Sequence, residues 1–283
     1  MDFFKQRLSH KDFKRLSQFI YSHAGIKMPL SKLSMVEARI RKRLIKLNIE
    51  DYSNYCDYLF SPKGMESELP FFTNAITTNK TDFFRESGHF EYLIQKAIPE
   101  LIAREGMGIN KQLHLWSAAA SRGNEAYTIA IVLSEFSTKF PGLNFNYFIL
   151  GTDISTEVLE AAKIGIYKHE EIEPVPFELR KKYFLKSKDK EKDLVRVKPE
   201  IRKSVKFRHL NLMENFNLRQ PMDIIFCRNV LIYFSKDTQD GVILRLCQNL
   251  KPGGFLFLGH SEVINCQNFP LVSMAPAVYK KVK

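Results

Sequence analysis

Little in this sequence offers a metal cluster, a disulfide scaffold or a membrane anchor. Its four cysteines, Cys56, Cys227, Cys247 and Cys266, lie far apart and form no C-x-x-C pair. That spacing argues against a zinc cluster and implies no disulfide framework. No run approaches the roughly 20 apolar residues that a membrane span needs. The opening Met1-Asp2-Phe3-Phe4-Lys5-Gln6-Arg7 lacks the apolar segment of a secretory signal. Neither G-x-G-x-x-G nor G-x-x-x-x-G-K-[ST] occurs, which disfavours dinucleotides and nucleoside triphosphates. Acids are also scarce, 31 against 43 Lys and Arg, and the net charge of +12 favours an acidic partner. It does not choose among nucleic acid, anionic lipid and acidic protein. A soluble, cytoplasmic protein without a metal is expected.

Apolar material is plentiful. With 45% hydrophobic residues and 23 Phe, a sizeable core can form, and 283 residues suit one large domain plus a small one. Residues 1–70 read as helical. Ser9-His10-Lys11-Asp12 resembles a capping box ahead of Phe13, Leu16, Phe19 and Ile20 at helical spacing, with Gly25 as the stop. Ser31 is expected to cap a second helix with the stripe Leu33, Val36, Ile40, Leu44 and Leu47. Tyr52 to Leu59 predicts a third helix, and Glu66 to Ile76 a fourth. Residues 71–110 lead into the main domain.

From residue 111 to 283 the pattern turns to alternating strands and helices. Leu113–Trp116, Phe145–Gly151, Val205–His209, Ile224–Cys227 and Phe255–Leu258 predict strands. Helices are expected over Glu125 to Phe136, from Ser155 to Lys163, and from Ser235 or Asp237 to near Leu250. This rhythm predicts an α/β, Rossmann-like fold with a mainly parallel sheet covered on both faces. Leu271–Met274 and Ala277–Lys281 read as a closing pair. Residues 166–204 break the rhythm and read as a small β-subdomain insertion, with Tyr183-Phe184-Leu185 facing Leu194–Val197 as a hairpin.

Ligands of open parallel sheets lie beyond the carboxyl ends of the strands. After the first strand comes Ser117-Ala118-Ala119-Ala120-Ser121-Arg122-Gly123-Asn124-Glu125. Its tiny side chains let a ligand lie against the backbone, and an acid follows. A positively charged cofactor without phosphate suits such a loop, as S-adenosylmethionine does; a tight turn of close-packed backbone is the plainer alternative. The second strand ends at Asp153, placed either to accept from both ribose hydroxyls or to cap the next helix. Arg228-Asn229 follow the fourth strand, and His260-Ser261-Glu262 the fifth. Trp116 and Cys227 are expected in the core.

Four strings together identify a resemblance: Thr78-Asn79-Lys80-Thr81-Asp82-Phe83-Phe84-Arg85, Trp116–Ser121, Phe226–Phe234 and Gly259-His260-Ser261-Glu262. In this order they resemble the CheR family of chemotaxis receptor methyltransferases, over nearly the whole chain. The resemblance implies transfer of a methyl group from S-adenosylmethionine to glutamate side chains on the cytoplasmic domain of membrane chemoreceptors, leaving S-adenosylhomocysteine. It implies that Asn79, Thr81 and Arg85 line the methionine end of the cofactor. Glu125 would meet the amino group, Asp153 the ribose, and Asn211-Leu212 the adenine. Arg228-Asn229 would close the site, with Tyr233 beside the methyl; Arg85 and Tyr233 are the expected catalytic residues. The family often has Thr-Gly-Glu-Glu-Pro where this chain has Arg122-Gly123-Asn124-Glu125-Ala126. In part of the family the insertion takes the receptor's C-terminal tail as an added edge strand; here the loop Lys186–Asp193 contains no glycine.

A glutamate carboxylate is ionised at neutral pH and needs no general base, so the chemistry requires alignment above all. On the second helix Arg39, Lys42, Arg43 and Lys46 recur at spacings of three and four, a basic stripe expected to dock an acidic partner. Reversing Arg39 and Arg43 is therefore expected to leave the fold intact, as is removal of Asp153. An RNA methyltransferase is the alternative enzyme, although Cys227-Arg228-Asn229-Val230 differs from the Asn/Asp-Pro-Pro-Tyr common in amino-group enzymes. A non-catalytic receptor-binding adaptor is the alternative outside enzymes. No contact with nucleic acid is expected, and no membrane insertion.

Overall fold

The computed structural model of the chain describes residues 7–142, 144–189 and 191–282. Helices dominate up to residue 105: α1 (His10–Ala24), α2 (Leu33–Leu47), α3 (Tyr52–Leu59), α4 (Pro62–Ser67) and α5 (Leu69–Ile76), then α6 (Gly88–Tyr92) and α7 (Ile98–Glu105), joined by one π-helical stretch. Ser9 caps α1 by accepting from the Asp12 amide at 3.0 Å, and Gly25 ends it at φ +70°. Phe13, Leu16 and Ile20 of α1 pack against Val36, Ile40 and Leu44 of α2 and Tyr55 and Leu59 of α3, a core separate from those of the sheet.

Two helix boundaries differ from expectation. Ser31 is no cap: a 3-10 turn over Leu30–Lys32 absorbs it, and α2 starts at Leu33 without a side-chain cap. The expected helix from Glu66 is divided into α4 and α5, with Pro70, which has no N–H to donate, in the first turn of α5.

The basic stripe on α2 also needs correction. Arg39 and Arg43 do not project freely. Arg39 Nη1 donates to the carbonyls of Ala75, Ile76 and Thr77, satisfying groups that the end of α5 leaves open. Arg43 makes a two-pronged bond to buried Glu68 at 2.8 and 2.7 Å, and the Tyr55 hydroxyl donates to the same carboxylate at 3.0 Å. These arginines hold α2 to α5. Lys42 and Lys46 are the exposed members, the latter 5.5 Å from the exposed Phe71 ring.

Among the described residues ten strands form two sheets. The strands are β1 (Leu113–Ala118), β2 (Tyr147–Asp153), β3 (Ile166–Lys168), β4 (Phe184–Lys186), β5 (Leu194–Val197), β6 (Val205–His209), β7 (Met222–Cys227), β8 (Leu250–Leu258), β9 (Leu271–Ala275) and β10 (Val278–Lys281). The large sheet runs β6-β2-β1-β7-β8-β10-β9. It is parallel except for β10, which is antiparallel to both neighbours. Helices α8 (Asn124–Lys139), α9 (Thr156–Ile164), α10 (Phe177–Tyr183), α11 (Pro199–Lys203) and α12 (Lys236–Gln248) complete the chain. The fold is a Rossmann-like α/β fold with a mainly parallel sheet.

Strand order reverses at β1, whose neighbours are β2 on one side and β7 on the other. That is where a doubly wound sheet opens a crevice. Strand β2 lies two residues later than expected, because its pairing with β6 continues to Asp153 opposite His209. Strand β8 starts at Leu250, five residues ahead of the expected Phe255, and runs through Lys251-Pro252-Gly253-Gly254; its register against β7 shifts there. The insertion forms a three-stranded antiparallel sheet in the order β3-β5-β4, one strand more than the expected hairpin. No helix among the described residues is long and apolar enough to cross a membrane.

Candidate active site

The crevice at the carboxyl ends of β1, β2 and β7 is a cleft of about 1270 Å³, measured out to its open mouth. The loop after β1 forms its floor. Ala119 and Ser121 adopt left-handed backbone there, φ +59° and +49°, and their small side chains keep the wall thin. Gly123 is required at φ +89°, since a Cβ would sit 2.9 Å from Phe207.

Asn79, Thr81, Arg85, Glu125, Asp153, Asn211, Leu212, Arg228, Asn229 and Tyr233 all line this one cleft. Arg39, Lys42, Arg43 and Lys46 are not among its lining residues. Asp153 has a double role that sequence did not reveal. Its Oδ2 accepts from the Ser121 amide at 2.8 Å and its Oδ1 from the Ser155 amide at 2.9 Å, while Ser155 itself caps α9. The carboxylate therefore ties the β1 loop to the β2 loop. Burial raises its pKa, with the backbone amides opposing the rise. Removing it leaves two N–H groups unanswered, so a loss of stability is expected in place of an unaffected fold.

Arg228 is the electrostatic centre. Its guanidinium, 2% exposed, donates to Glu86 Oε2 at 2.9 Å, to Glu125 Oε2 at 3.1 Å and to the Arg85 carbonyl. Glu125 also accepts from Ser117 Oγ at 2.7 Å. Burial raises the Glu125 pKa against the pull of Arg228. At Glu86 burial pushes the same way, but the bonds and charge of Arg228 outweigh it and the carboxyl lies below the ordinary range. Arg85 is exposed at the cleft, between Phe84 at φ +54° and Glu86 at φ +57°. Two departures from ordinary backbone, one on each side of one arginine, mark a loop shaped by its site.

Three contributors were missed in the sequence. Glu86 adjoins Arg85 but stood outside the string that carried the resemblance. Glu262 lay inside a string that assigned it no role. The third is the front domain, whose Ile26, Lys27, Met28 and Lys32 line the cleft. The Lys27 amide donates to the Tyr233 carbonyl at 2.9 Å, and Asn211 Nδ2 donates to the His23 carbonyl at 2.8 Å. A Cβ on Gly25 would meet Met213 Sδ at 2.5 Å, so the close approach of the two domains requires glycine. Cys227 is wholly buried and its thiol is pushed far up by desolvation, which removes it as a nucleophile.

Behind Arg228 lies buried His89, its ring 4.8 Å from that of exposed His260. Glu86, His89 and His260 bring atoms able to ligate a metal within 4.8 Å of one another, although Glu86 is already held by Arg228 and Asn229. Burial, then the Arg228 charge, lowers the His89 pKa to about 4, with Glu86 opposing. Below the ordinary value the unfolded chain takes up a proton that the folded one excludes. Stability is therefore lost as pH falls from about 6.5 towards 4. Between pH 7.5 and 5 this single group should account for about 2 kcal/mol. Urea midpoints at the two pH values check it: His89→Gln should flatten the loss by that amount.

Residues 79–278 match the model of the CheR methyltransferase SAM binding domain, and residues 11–77 that of the CheR methyltransferase all-alpha domain. The chemotaxis protein methyltransferase of Salmonella typhimurium is 40% identical over 260 residues, covering 91% of this chain and 86% of the relative. That of Escherichia coli is 40% identical over 256 residues, 90% and 85% of the two chains. That of Borreliella burgdorferi is 36% identical over 275 residues, 97% and 95%. Motifs, sheet order, cleft and relatives agree, and the chain belongs to the CheR methyltransferase family.

Proposed function

We propose that this protein transfers a methyl group from S-adenosylmethionine to glutamate side chains of chemoreceptor cytoplasmic helices, forming methyl esters for chemotactic adaptation. A cytoplasmic location goes with that substrate. The observation that carries the reading is a pair of acids, partly buried Glu125 and buried Asp153, flanking a loop of tiny side chains in a cleft rimmed by Lys27, Lys32, Lys80 and Arg85. The acids suit a cationic cofactor and the rim an acidic substrate. The bound cofactor supplies an electrophilic methyl on a sulfonium centre.

The remaining work falls to this chain's residues. Glu125 would meet the cofactor's ammonium, while Arg228 holds the Glu125 carboxylate in place. Asp153 retains lone pairs for the ribose hydroxyls beyond its two backbone bonds. Asn211 and Leu212 would border the adenine, and Asn79 and Thr81 the methionine end. Arg85 orients the incoming carboxylate, and Tyr233 shapes the space around the methyl. No general base is required, and alignment of this kind can supply roughly 7–11 kcal/mol.

Asp153→Ala should weaken S-adenosylhomocysteine binding by about 1.5–3 kcal/mol, the scale of a charge-assisted bond. It should also reduce stability by about 1–3 kcal/mol, because the Ser121 and Ser155 amides lose their acceptor. Calorimetry and urea denaturation read the two effects separately.

Receptor docking rests on the exposed part of the α2 surface. Lys42→Glu with Lys46→Glu should change stability by less than about 0.5 kcal/mol each. Steering can change association by 10–10³-fold, and salt screens it. The double reversal should thus lower kcat/KM for a receptor cytoplasmic fragment at low salt, with the loss shrinking at high salt. Parental rates at low salt would remove α2 from the docking surface.

A further inference from the structure

We infer that Glu262 is a positioning residue for methyl transfer: its carboxylate fixes the backbone of the Arg228–Tyr233 segment, and so sets where Asn229 and Tyr233 stand in the cleft. This rests on the methyltransferase reading above.

Beyond β7 the chain leaves the sheet with no helix to receive its N–H groups. Asn229 turns left-handed at φ +59°, Val230 follows at φ −118°, and a short 3-10 turn covers Leu231–Tyr233. As a result the amides of Asn229, Leu231 and Ile232 converge on one side of the segment. Buried N–H groups without an acceptor are costly, and three in four residues could not hold this shape alone.

Glu262, 6% exposed on the connection after β8, answers all three. Its Oε2 accepts from Asn229 N at 2.8 Å and from Gly259 N at 2.7 Å. Its Oε1 accepts from Leu231 N at 2.7 Å and Ile232 N at 3.3 Å. Four backbone bonds to one carboxylate use each oxygen twice. An anion inside a nest of N–H groups is the stable solution to that geometry.

Gly259 belongs to the same device. A Cβ there would lie 2.7 Å from Asn229 Nδ2, 2.8 Å from Glu262 Oε2 and 2.9 Å from Asn229 N, so only glycine lets the two loops close. From the far side Gln239 Nε2 grips the Leu231 carbonyl at 2.9 Å. With its backbone clamped, the segment directs Asn229 Nδ2 onto Glu86 Oε1 at 3.2 Å and turns Tyr233 into the cleft wall. Glu262 itself does not line the cleft.

A displacement near 1 Å can reduce transfer about 10²-fold without touching the chemistry. Asp153 and Asn211, which would hold the cofactor, stand on other elements, and Arg228, the partner of Glu125, precedes the first clamped amide. Glu262→Gln keeps the shape but turns an N–H donor towards donors. It should lower kcat for a receptor fragment about 10²-fold while S-adenosylhomocysteine affinity changes less than about 5-fold. Hydrogen exchange should show the Asn229, Leu231 and Ile232 amides unprotected, with β7 and β8 still protected. Glu262→Asp retains the charge on a shorter arm and should recover part of kcat. If Glu262→Gln keeps the parental kcat, or loses cofactor affinity and turnover together, the inference is overturned. So it is if a folded Glu262→Asp is no better than Glu262→Gln. Absence of transfer by the parent protein would instead count against the methyltransferase reading, leaving the exchange result to judge the clamp.

Discussion

Arg43→Glu should destabilise the front domain by about 3–5 kcal/mol, the usual cost of breaking a buried ion pair by removing one partner. Glu68 is 2% exposed at its side chain and Arg43 only 11%. The guanidinium satisfies both carboxylate oxygens, stacks on Phe71 at 4.5 Å, and shares Glu68 with the Tyr55 hydroxyl. A second carboxylate in its place adds repulsion to an uncompensated charge. Loss of this bond frees α2 from α5, and the loop before α2 lines the cleft, so cofactor binding should weaken as well. Equilibrium unfolding in urea measures the first effect and calorimetry the second. Lys42→Glu is the control, since Lys42 is exposed on the same helix; a similar loss in both variants would contradict the assignment.

Arg228→Met should cost a comparable 3–5 kcal/mol and reduce methyl transfer more than about 10²-fold. The substitution leaves Glu86 and Glu125 facing each other with no cation between them. Protonation relieves such a pair, so the deficit should shrink as pH falls from 7 towards 5. The double variant Arg228→Met with Glu86→Gln removes one of the stranded charges. It should regain part of the stability while transfer stays low, because Glu125 still lacks its orienting partner. Denaturation at two pH values, beside an assay on a receptor fragment, separates these effects. A deficit that does not depend on pH would show that the arginine acts through packing alone.

The sheet was legible because its signals are local. Apolar runs ending in Ser117–Ser121, Asp153 and Arg228-Asn229 announce both strands and strand ends, and those ends are where a doubly wound fold collects its ligand residues. The cleft therefore contains every residue expected in it. What escaped depended on contacts distant in sequence. Arg43 and Lys42 look alike on a helical projection, and only the position of Glu68, 25 residues on, makes one structural and the other free to meet a partner. Asp153 read as a ligand for ribose or a helix cap; that it also bridges two loops rests on backbone amides that have no sequence signature. Glu262 was hidden for the same reason. The front domain's share of the cleft follows from the packing of Gly25 against Met213, a contact that no periodicity encodes.

The most direct test of the central claim is the fate of labelled methyl after incubation of the protein with S-adenosylmethionine and a purified chemoreceptor cytoplasmic fragment. A glutamate ester predicts label on the fragment that mild alkali releases as volatile methanol, and that disappears when the accepting glutamates are replaced by alanine. Label that survives alkali, or that enters RNA while the fragment stays unmodified, would contradict it.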